Sequence, residues 1–290
     1  MPSSPVLFLA AIAPDGRATF APADPAAPHV RVDDLGVTRG DGVFESVGVV
    51  GGVPQSLEHH LARFARSSAM TDLPAPDAAA WADAVHRAVA AHEPRPELLA
   101  KLIVTRGVEG TGVPTGWVLV TPGADYAQAR TEGVDVLVLD RAYPGDVTTR
   151  APWLLQGAKT LSYALNTAAL RHARAHGAHD VVFVSSDGDV LEGPNSTVLA
   201  RSRDRWVTPP PELGLLDGTT VGRALAFARA RGDRAEVDRL TVADLAAADG
   251  VWLVSSGRLS APVRSLDGVA RPVDAAAQAA LLHHLLTVHD

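Results

Sequence analysis

Lysine is rare in this 290-residue sequence: of its 26 basic residues only Lys101 and Lys159 are lysines, and all the others are arginines. Lys159 lies in an apolar stretch, residues 153–161, that we interpret as a strand end leading into a helix. A lysine in such a place usually extends its ammonium group to solvent. In a chain that places arginine at surface sites, chemistry explains a retained lysine better, because an amine can lose its proton and attack a carbonyl whereas a guanidinium cannot. Burial would lower the pKa of this amine, so Lys159 suits a Schiff base.

A carboxylate and a candidate anion site follow Lys159 along the chain. Glu192 ends a predicted hairpin strand, where it either faces solvent or pairs with the ring nitrogen of a pyridoxal group. Gly218-Thr219-Thr220 opens a predicted helix, and the free N–H groups and positive dipole of a helix start favour a phosphate, although such starts are also ordinary caps. Further donors are Ser255-Ser256-Gly257, after a buried-looking strand, and Arg63, which is otherwise an exposed helical charge.

These residues need elements that position them, and the hydrophobic pattern predicts a mixed α/β chain in two halves. Strands are predicted at residues 6–13, 42–50, 101–106, 117–121, 134–140, 180–185, 189–192, 196–200, 205–208 and 251–255. Helices are predicted at residues 56–70, 77–92, 162–176, 219–232 and 275–289, with a short helix opened by a Thr241–Asp244 capping box. Ser56 is the expected N-cap of the first helix, and Gly177 the left-handed stop of the third.

The same pattern sets the predicted domain boundaries. Residues 1–121 are assigned to a small N-terminal α/β domain and residues 134–290 to a larger C-terminal α/β domain that carries Lys159. Residues 122–133 have mixed polar composition and weak periodicity, so they are predicted to be the linker.

Composition and charge exclude several classes of protein. Hydrophobic residues make up 47% and charged residues 20%, as in a globular protein, and the absence of cysteine excludes disulfides and thiolate sites. A net charge of −7 without a basic stripe argues against nucleic-acid and membrane-surface partners. The apolar run at residues 6–13 is too short to span a bilayer and follows no basic residues, so we expect a soluble, cytoplasmic protein. His172 and His176 have no third ligand, which predicts no metal, and His59 and His60 are interpreted as surface residues.

The order of these motifs resembles the fold-type IV, or class IV, pyridoxal-phosphate (PLP) enzymes. This family includes D-amino-acid and branched-chain aminotransferases, (R)-amine transaminases and aminodeoxychorismate lyases. The matching motifs are Gly40-Asp41-Gly42-Val43-Phe44-Glu45, His60-Leu61-Ala62-Arg63, Lys159, Glu192, Gly218-Thr219-Thr220 and Ser255-Ser256. The resemblance covers nearly the whole chain. It implies a two-domain α/β fold with a barrel-like sheet in the larger domain, an active site between the domains, and a homodimer.

The resemblance also assigns roles to individual residues. Lys159 would form the Schiff base with PLP, Glu192 would pair with the pyridine nitrogen, and Tyr163 would bond to the phenolic oxygen. The phosphate ligands would be Arg63, Thr219, Thr220, Ser256 and Gly257. Two positions depart from the common pattern: Ser196-Thr197 replaces Ser-Asn, and Gly257 stands where a threonine donor is often found.

The substrate side is less well defined by the motifs. The Arg-x-His pair that binds carboxylates in well-known D-amino-acid transaminases would follow Arg106, where this chain has Val108-Glu109-Gly110. We expect Phe44, Arg39 and Arg106 to bind the substrate, with Arg39 the first and Arg106 the second candidate for its carboxylate; a structural role is the alternative for both arginines.

The predicted activity is transfer of an amino group from an amino acid, a D-amino acid in preference, or from a primary amine to a 2-oxo acid. One alternative is an aminodeoxychorismate lyase that makes 4-aminobenzoate and pyruvate with the same PLP site. Another is a catalytically silent protein that only binds the cofactor. Lys101 has no predicted role.

Overall fold

A computed structural model describes residues 4–289, which form two compact units. Unit 1 contains residues 4–124, Ala158–Tyr163 and His289, and unit 2 contains Asp125–Gly157 and Ala164–Val288. Residues 1–3 and 290 of the two predicted domains lie outside the described residues. The division after Ala124 falls within the predicted linker, but the segment that carries Lys159 belongs to unit 1.

Unit 1 is an antiparallel sheet with two long helices packed on it. Its elements in chain order are β1 (Val6–Ile12), β2 (Ala18–Ala23), α1 (Leu35–Thr38), β3 (Gly42–Val50), β4 (Val53–Pro54), α2 (Leu57–Met70), α3 (Ala78–Ala91), β5 (Glu97–Thr105) and β6 (Thr115–Pro122). The six strands lie in the order β2-β1-β6-β5-β3-β4, and every pair is antiparallel.

The core of unit 1 lies between this sheet and helices α2 and α3. Strand β3 buries every second side chain, including Val43 and Val47, because successive residues of a strand point to opposite faces. Phe64 of α2 meets Trp81 of α3 edge to face, with 5.1 Å between ring centroids, and both are almost fully buried. The Asp77 side chain accepts the Ala80 N–H at the start of α3, as its predicted boundary requires.

Unit 2 is a mixed sheet with its helices packed around it. Its elements are α4 (Ala127–Glu132), β7 (Val134–Asp140), α5 (Val147–Arg150), α6 (Ala164–Ala175), β8 (Asp180–Val184), β9 (Thr197–Ser202), β10 (Arg205–Thr208), α7 (Thr219–Ala230), β11 (Arg234–Val237), α8 (Val242–Ala247), β12 (Gly250–Ser255), β13 (Leu259–Leu266), β14 (Val269–Ala270) and α9 (Ala275–Thr287). The strand order is β11-β10-β9-β12-β13-β7-β8, and β14 pairs with β13. The β10–β11, β13–β7 and β7–β8 pairs are parallel.

Hydrophobic packing fixes the helices of unit 2 on this sheet. The side chains of α7 and α9 surround Trp206 and Trp252, whose rings stack with 5.0 Å between centroids. The Thr241–Asp244 capping box is present, and Gly177 follows α6 with a φ of +78°, so both local predictions are confirmed. The mixed α/β fold class is confirmed as well.

Several element predictions are wrong in detail. Ser56 has a φ of +48° and makes no side-chain cap hydrogen bond. Residues 189–192 form no strand, although the backbones of Phe183 and Leu191 exchange a hydrogen bond typical of a hairpin. The apolar stretch before Lys159 is a 3₁₀ turn, Pro152–Leu154, rather than a strand end, and the predicted linker contains α4. Within residues 4–289, no helix is both long and apolar enough to cross a membrane.

Candidate active site

Lys159 is held against the edge of β3 and the flank of α2. Thr160 forms a β-bridge with Val43, and the Phe44 N–H donates to the Lys159 carbonyl oxygen at 2.9 Å. The Lys159 N–H donates to the Ser67 hydroxyl oxygen of α2 at 3.0 Å. The backbone of the lysine is therefore fixed on both sides.

The Phe44 ring lies beside the lysine amine and contacts the Tyr163 ring. The Nζ atom of Lys159 lies 4.5 Å from the centroid of the Phe44 ring, which meets the Tyr163 ring edge to face at 5.5 Å. Phe44 and Glu45 are consecutive in β3, so their side chains point to opposite faces of the sheet. The structure thus brings three of the predicted site residues together, namely Lys159, Phe44 and Tyr163.

A buried ionic cluster lies on the face of the sheet that α2 covers. Both Glu45 carboxylate oxygens accept hydrogen bonds from Arg63, from Nε and from one terminal nitrogen, each at 2.7 Å. His60 Nδ1 lies 2.7 Å from a Glu45 oxygen and donates to it. Glu45, His60 and Arg63 are only 0%, 1% and 5% exposed. The predicted phosphate ligand Arg63 is therefore oriented by a bidentate carboxylate partner.

The interpretation of His60 as a surface residue is wrong. His60 precedes Arg63 by three residues and Phe64 by four, so all three lie on one face of α2. That spacing was a usable signal in the sequence. Only the fold shows that the polar part of this helix face meets Glu45, because Glu45 lies on a strand that is distant in sequence.

Opposing effects act on the charges of this cluster. Burial alone would raise the pKa of Glu45, but Arg63 and His60 outweigh it and hold that pKa well below its ordinary value. Burial lowers the pKa of His60 below 6.5, and Glu45 offsets this only in part, while Arg63 and Lys159 lower it further. At neutral pH the cluster therefore contains an ionised Glu45, a charged Arg63 and an uncharged His60.

The uncharged state of His60 predicts a pH-dependent loss of stability. Below its ordinary pKa of 6.5, the unfolded chain binds a proton at this residue and the folded chain does not, so the free energy of unfolding falls as the pH falls. One such group changes the free energy by at most about 1.4 kcal/mol per pH unit. We expect H60Q to show a shallower slope than wild type in urea unfolding between about pH 7 and about pH 5.

The exposed neighbour His59 provides the matched control for this measurement. H59Q should keep the wild-type slope, since it leaves the buried cluster unchanged. Equal slopes for H60Q and wild type would contradict an uncharged His60 in the folded protein.

Glu192 of unit 2 is bonded through both its backbone and its side chain. Its carbonyl oxygen accepts the Phe183 N–H at 2.9 Å, which ties it to the end of β8. Its carboxylate oxygen Oε2 accepts the Leu216 N–H at 3.2 Å, from the segment that leads into α7. Burial raises the pKa of the nearby Tyr143, and the Glu192 charge contributes to that rise. A carboxylate at this position is the type of group that accepts a hydrogen bond from a protonated ring nitrogen.

Three hydroxyl groups converge at the start of α7. The Oγ1 atoms of Thr219 and Thr220 each lie 3.5 Å from Oγ of Ser256, which follows β12. Gly218 is the N-cap residue, and a Cβ atom there would lie 2.4 Å from Thr197 Oγ1, so a side chain would collide with β9. Hydroxyl donors beside the free N–H groups of a helix start fit a phosphate ester. This donor set is what the phosphate of PLP needs.

The two candidate carboxylate-binding arginines have different surroundings. Arg106 binds both carboxylate oxygens of Asp41, at 2.7 and 3.2 Å, and also donates to the carbonyl oxygens of Thr71 and Asp72 beyond the end of α2. Arg39 is exposed, and its side chain makes no hydrogen bond or ion pair within residues 4–289. These contacts favour the structural alternative for Arg106 and leave Arg39 as the better candidate.

The sequence did not predict a group of hydrogen bonds in the same unit as Glu192. Asn166 of α6 donates through Nδ2 to the Pro194 carbonyl oxygen at 2.9 Å and accepts from Arg141 at 3.2 Å. Tyr143 donates through its hydroxyl to Gln156 Oε1 at 2.7 Å. These partners are well separated in sequence and follow no recognisable spacing, so the sequence held no signal for them.

Each unit contributes groups that one type of cofactor chemistry requires. One unit presents a fixed lysine with an aromatic ring at its amine, and the other presents a carboxylate and a phosphate-type donor set at a helix start. Amine, ring-nitrogen partner and phosphate donors are the groups that a PLP-dependent enzyme needs. Within residues 4–289, no group of three or more histidine or acidic side chains could hold a metal ion.

Comparison with known proteins gives the family. The family model for amino-transferase class IV matches residues 42–266. The chain belongs to the class IV aminotransferase family, whose members are PLP-dependent enzymes of fold type IV. The family resemblance inferred from the motifs is confirmed.

Individual relatives cover almost the full length of the chain. A bifunctional aminodeoxychorismate lyase / D-amino acid transaminase from Mycobacterium tuberculosis is 45% identical over 254 residues, 84% of this chain and 88% of that protein. A fold IV transaminase from Curtobacterium pusillum superposes with a TM-score of 0.94 at 48% identity, covering 98% and 100% of the two chains. The PLP-bound form of a hypothetical aminotransferase from M. tuberculosis has a TM-score of 0.88 at 40% identity, covering 98% and 99%. Another solved form of it holds alpha-ketoglutarate and PMP.

Proposed function

We propose that this protein is a transaminase that moves an amino group from an amino acid, preferentially a D-amino acid, to a 2-oxo acid. The observation that carries the proposal is the fixed Lys159, whose Nζ lies 4.5 Å from the Phe44 ring while β3 and α2 hold its backbone. A lysine held in this way is suited to bind a cofactor carbonyl covalently and later to move a proton. The names of the relatives support both the transaminase activity and the choice of D-amino acids.

We infer the cofactor-binding roles from the family resemblance, and the donor sets described above support them. Lys159 holds PLP covalently, Tyr163 donates to its phenolic oxygen and Glu192 pairs with its ring nitrogen. The phosphate is bound by Arg63, Thr219, Thr220, Ser256 and Gly257. When bound, PLP supplies a carbonyl that takes up the amino group and a ring that withdraws electrons from the substrate carbon.

Side chains of this protein carry out the proton transfer, keep the ring nitrogen protonated and limit water at the amine. With PLP bound, Lys159 would hold it covalently, and the freed Lys159 amine would be the base that moves the proton of the substrate Cα. Glu192 keeps the ring nitrogen protonated, because its negative charge favours the charged form of the nitrogen. Phe44 packs an apolar surface beside the amine, which limits the water that surrounds it.

The lyase activity is the second candidate function, and a specific finding favours it. The M. tuberculosis relative at 45% identity is named for both reactions. Splitting aminodeoxychorismate into 4-aminobenzoate and pyruvate needs the same lysine, ring-nitrogen partner and phosphate site, so the residues described here serve either reaction.

An assay of the purified enzyme separates the two candidates. With D-alanine and 2-oxoglutarate we expect pyruvate and glutamate, and faster turnover than with L-alanine or an (R)-amine. Release of 4-aminobenzoate from aminodeoxychorismate without any oxo acid, together with no transfer from D-alanine, would replace the transaminase by the lyase. A PLP-loaded protein that responds to none of these donors would leave only cofactor binding.

We propose that Arg39 binds the substrate carboxylate, since Arg106 is engaged by Asp41 and two carbonyl oxygens. R39M should raise KM for D-alanine by about tenfold or more, as expected for loss of a charge-assisted hydrogen bond. Turnover of a primary amine, which has no carboxylate, should change little. An equal loss with both substrates would contradict the assignment.

We also propose that the protein is a homodimer, as the family resemblance implies. Three valines of unit 1 are exposed in the single chain and could be covered in a dimer: Val32, Val37 and Val113 are 88%, 62% and 53% exposed. Light scattering coupled to size-exclusion chromatography tests this directly, and a monomeric mass at micromolar concentration would contradict it.

A further inference from the structure

Helix α4 lies in the segment predicted to be a linker, yet one of its side chains donates two hydrogen bonds to the loop that follows β12. Arg130 donates from Nε to the Arg258 carbonyl oxygen at 2.8 Å and from a terminal nitrogen to the Gly257 carbonyl oxygen at 3.2 Å. Two carbonyl groups of one short loop are thus bound by a single planar guanidinium group. Such a fork fixes direction as well as distance, which a single hydrogen bond does not.

The loop bound by Arg130 is the hairpin connection between β12 and β13. Ser255 pairs with Leu259 across the hairpin, so the connection consists of Ser256, Gly257 and Arg258. Leu259 has a φ of +64° although it is not glycine, and it is only 2% exposed. A bulky residue in the left-handed region is strained and persists only where its surroundings hold it there. The loop therefore depends on external restraint for its shape.

Helix α4 is itself connected to strand β13 through hydrogen bonds. Gln278 of α9 is 4% exposed and donates through Nε2 to the Arg130 carbonyl oxygen at 2.9 Å and to the Ser260 carbonyl oxygen at 3.2 Å. Arg258 in turn donates to the fully buried Asp180 at 2.7 Å. Both ends of the Arg130 contact are thus anchored in the core of unit 2, so the guanidinium group has a fixed position relative to the loop.

We propose that Arg130 is a positioning residue for phosphate binding, an inference that rests on the proposed function. With the Gly257 and Arg258 carbonyl groups turned toward Arg130, their negative ends are directed at a cation and not at the cofactor phosphate. The Ser256 hydroxyl, 3.5 Å from the Thr219 and Thr220 hydroxyls, then stays in the donor set. The positive charge behind the loop also favours a dianion on its other side.

The test compares two ligands that differ only in the phosphate. The dissociation constants of PLP and of pyridoxal are measured on the full-length chain after its cofactor has been removed, for wild type and for R130M. We expect R130M to raise the dissociation constant of PLP by about tenfold and that of pyridoxal by less than about twofold. A merely structural role would weaken both ligands equally, and that result, or no change for either ligand, would overturn the inference.

Three further variants make the result interpretable. R271M is the matched control, because Arg271 also donates to two backbone carbonyl groups, those of Leu245 and Ala248, and has no part in the site. In R271M the ratio of the PLP dissociation constant to the pyridoxal dissociation constant should stay at the wild-type value. If R130M does not fold, R130K takes its place, since a lysine keeps the charge but not the fork, and a smaller shift of the ratio in the same direction is expected.

S256A separates failure of this inference from failure of the proposed function. A wild-type ratio in S256A would show that the loop does not bind the phosphate, and the proposed cofactor assignment would then fail together with the inference. A shifted ratio in S256A beside a wild-type ratio in R130M would leave the proposed function in place and overturn the role of Arg130 alone.

Discussion

K159A is expected to lose transaminase activity by at least about a thousandfold, since it removes both the covalent attachment of the cofactor and the base that moves the substrate proton. The effect should lie in turnover rather than in folding, because the backbone contacts of residue 159 with Phe44 and Ser67 do not need its side chain. The measurements are kcat with the best amino donor and the mass of the protein after borohydride reduction in the presence of PLP.

K101A is the matched control, because Lys101 is the other of the two lysines in the chain. Lys101 is exposed on β5, between Ser46 and Leu119 of the neighbouring strands. K101A should keep wild-type activity and gain the mass of one reduced cofactor, whereas K159A should gain none. Covalent labelling of K159A, or its loss in K101A, would contradict the assignment of the Schiff base to Lys159.

E192Q is expected to lower kcat by about tenfold to a hundredfold, which corresponds to the loss of a charge-assisted hydrogen bond to the ring nitrogen. The amide can still accept the Leu216 N–H that Glu192 now accepts at 3.2 Å, so the fold should be preserved. A neutral partner no longer favours the protonated ring, and the electron-withdrawing power of the cofactor falls with it. The ¹⁵N chemical shift of the ring nitrogen in labelled PLP reports this protonation directly.

Glu212 supplies the control for E192Q. It is an exposed glutamate on the 3₁₀ turn Pro211–Leu213 of the same unit. E212Q should leave both kcat and the nitrogen shift at wild-type values. Wild-type turnover in E192Q, or an unprotonated ring in the wild-type enzyme, would remove Glu192 from its proposed role.

The elements that could be predicted from the sequence are those defined by residues close together along the chain. The helix carrying Arg63 and the capping box at Thr241 follow from short-range spacing, and the structure contains both. Ser56 resembled an N-cap by residue type but has a left-handed backbone, because residue type alone does not set the backbone angles at a helix start. Residues 122–133 looked like a linker because the short α4 has weak periodicity of its own.

Residue types and their order along the chain were enough to indicate the cofactor chemistry. A lysine kept in an arginine-rich chain, a carboxylate after it and hydroxyls at a helix start give the cofactor and the family, because these groups are defined by residue type and order along the chain. The partners that orient these groups became visible only in the folded chain. The Glu45 contact with His60 and Arg63 and the Arg130 fork on the Gly257 loop join residues distant in sequence, and such contacts arise from the packing of strands and helices, which no local spacing records.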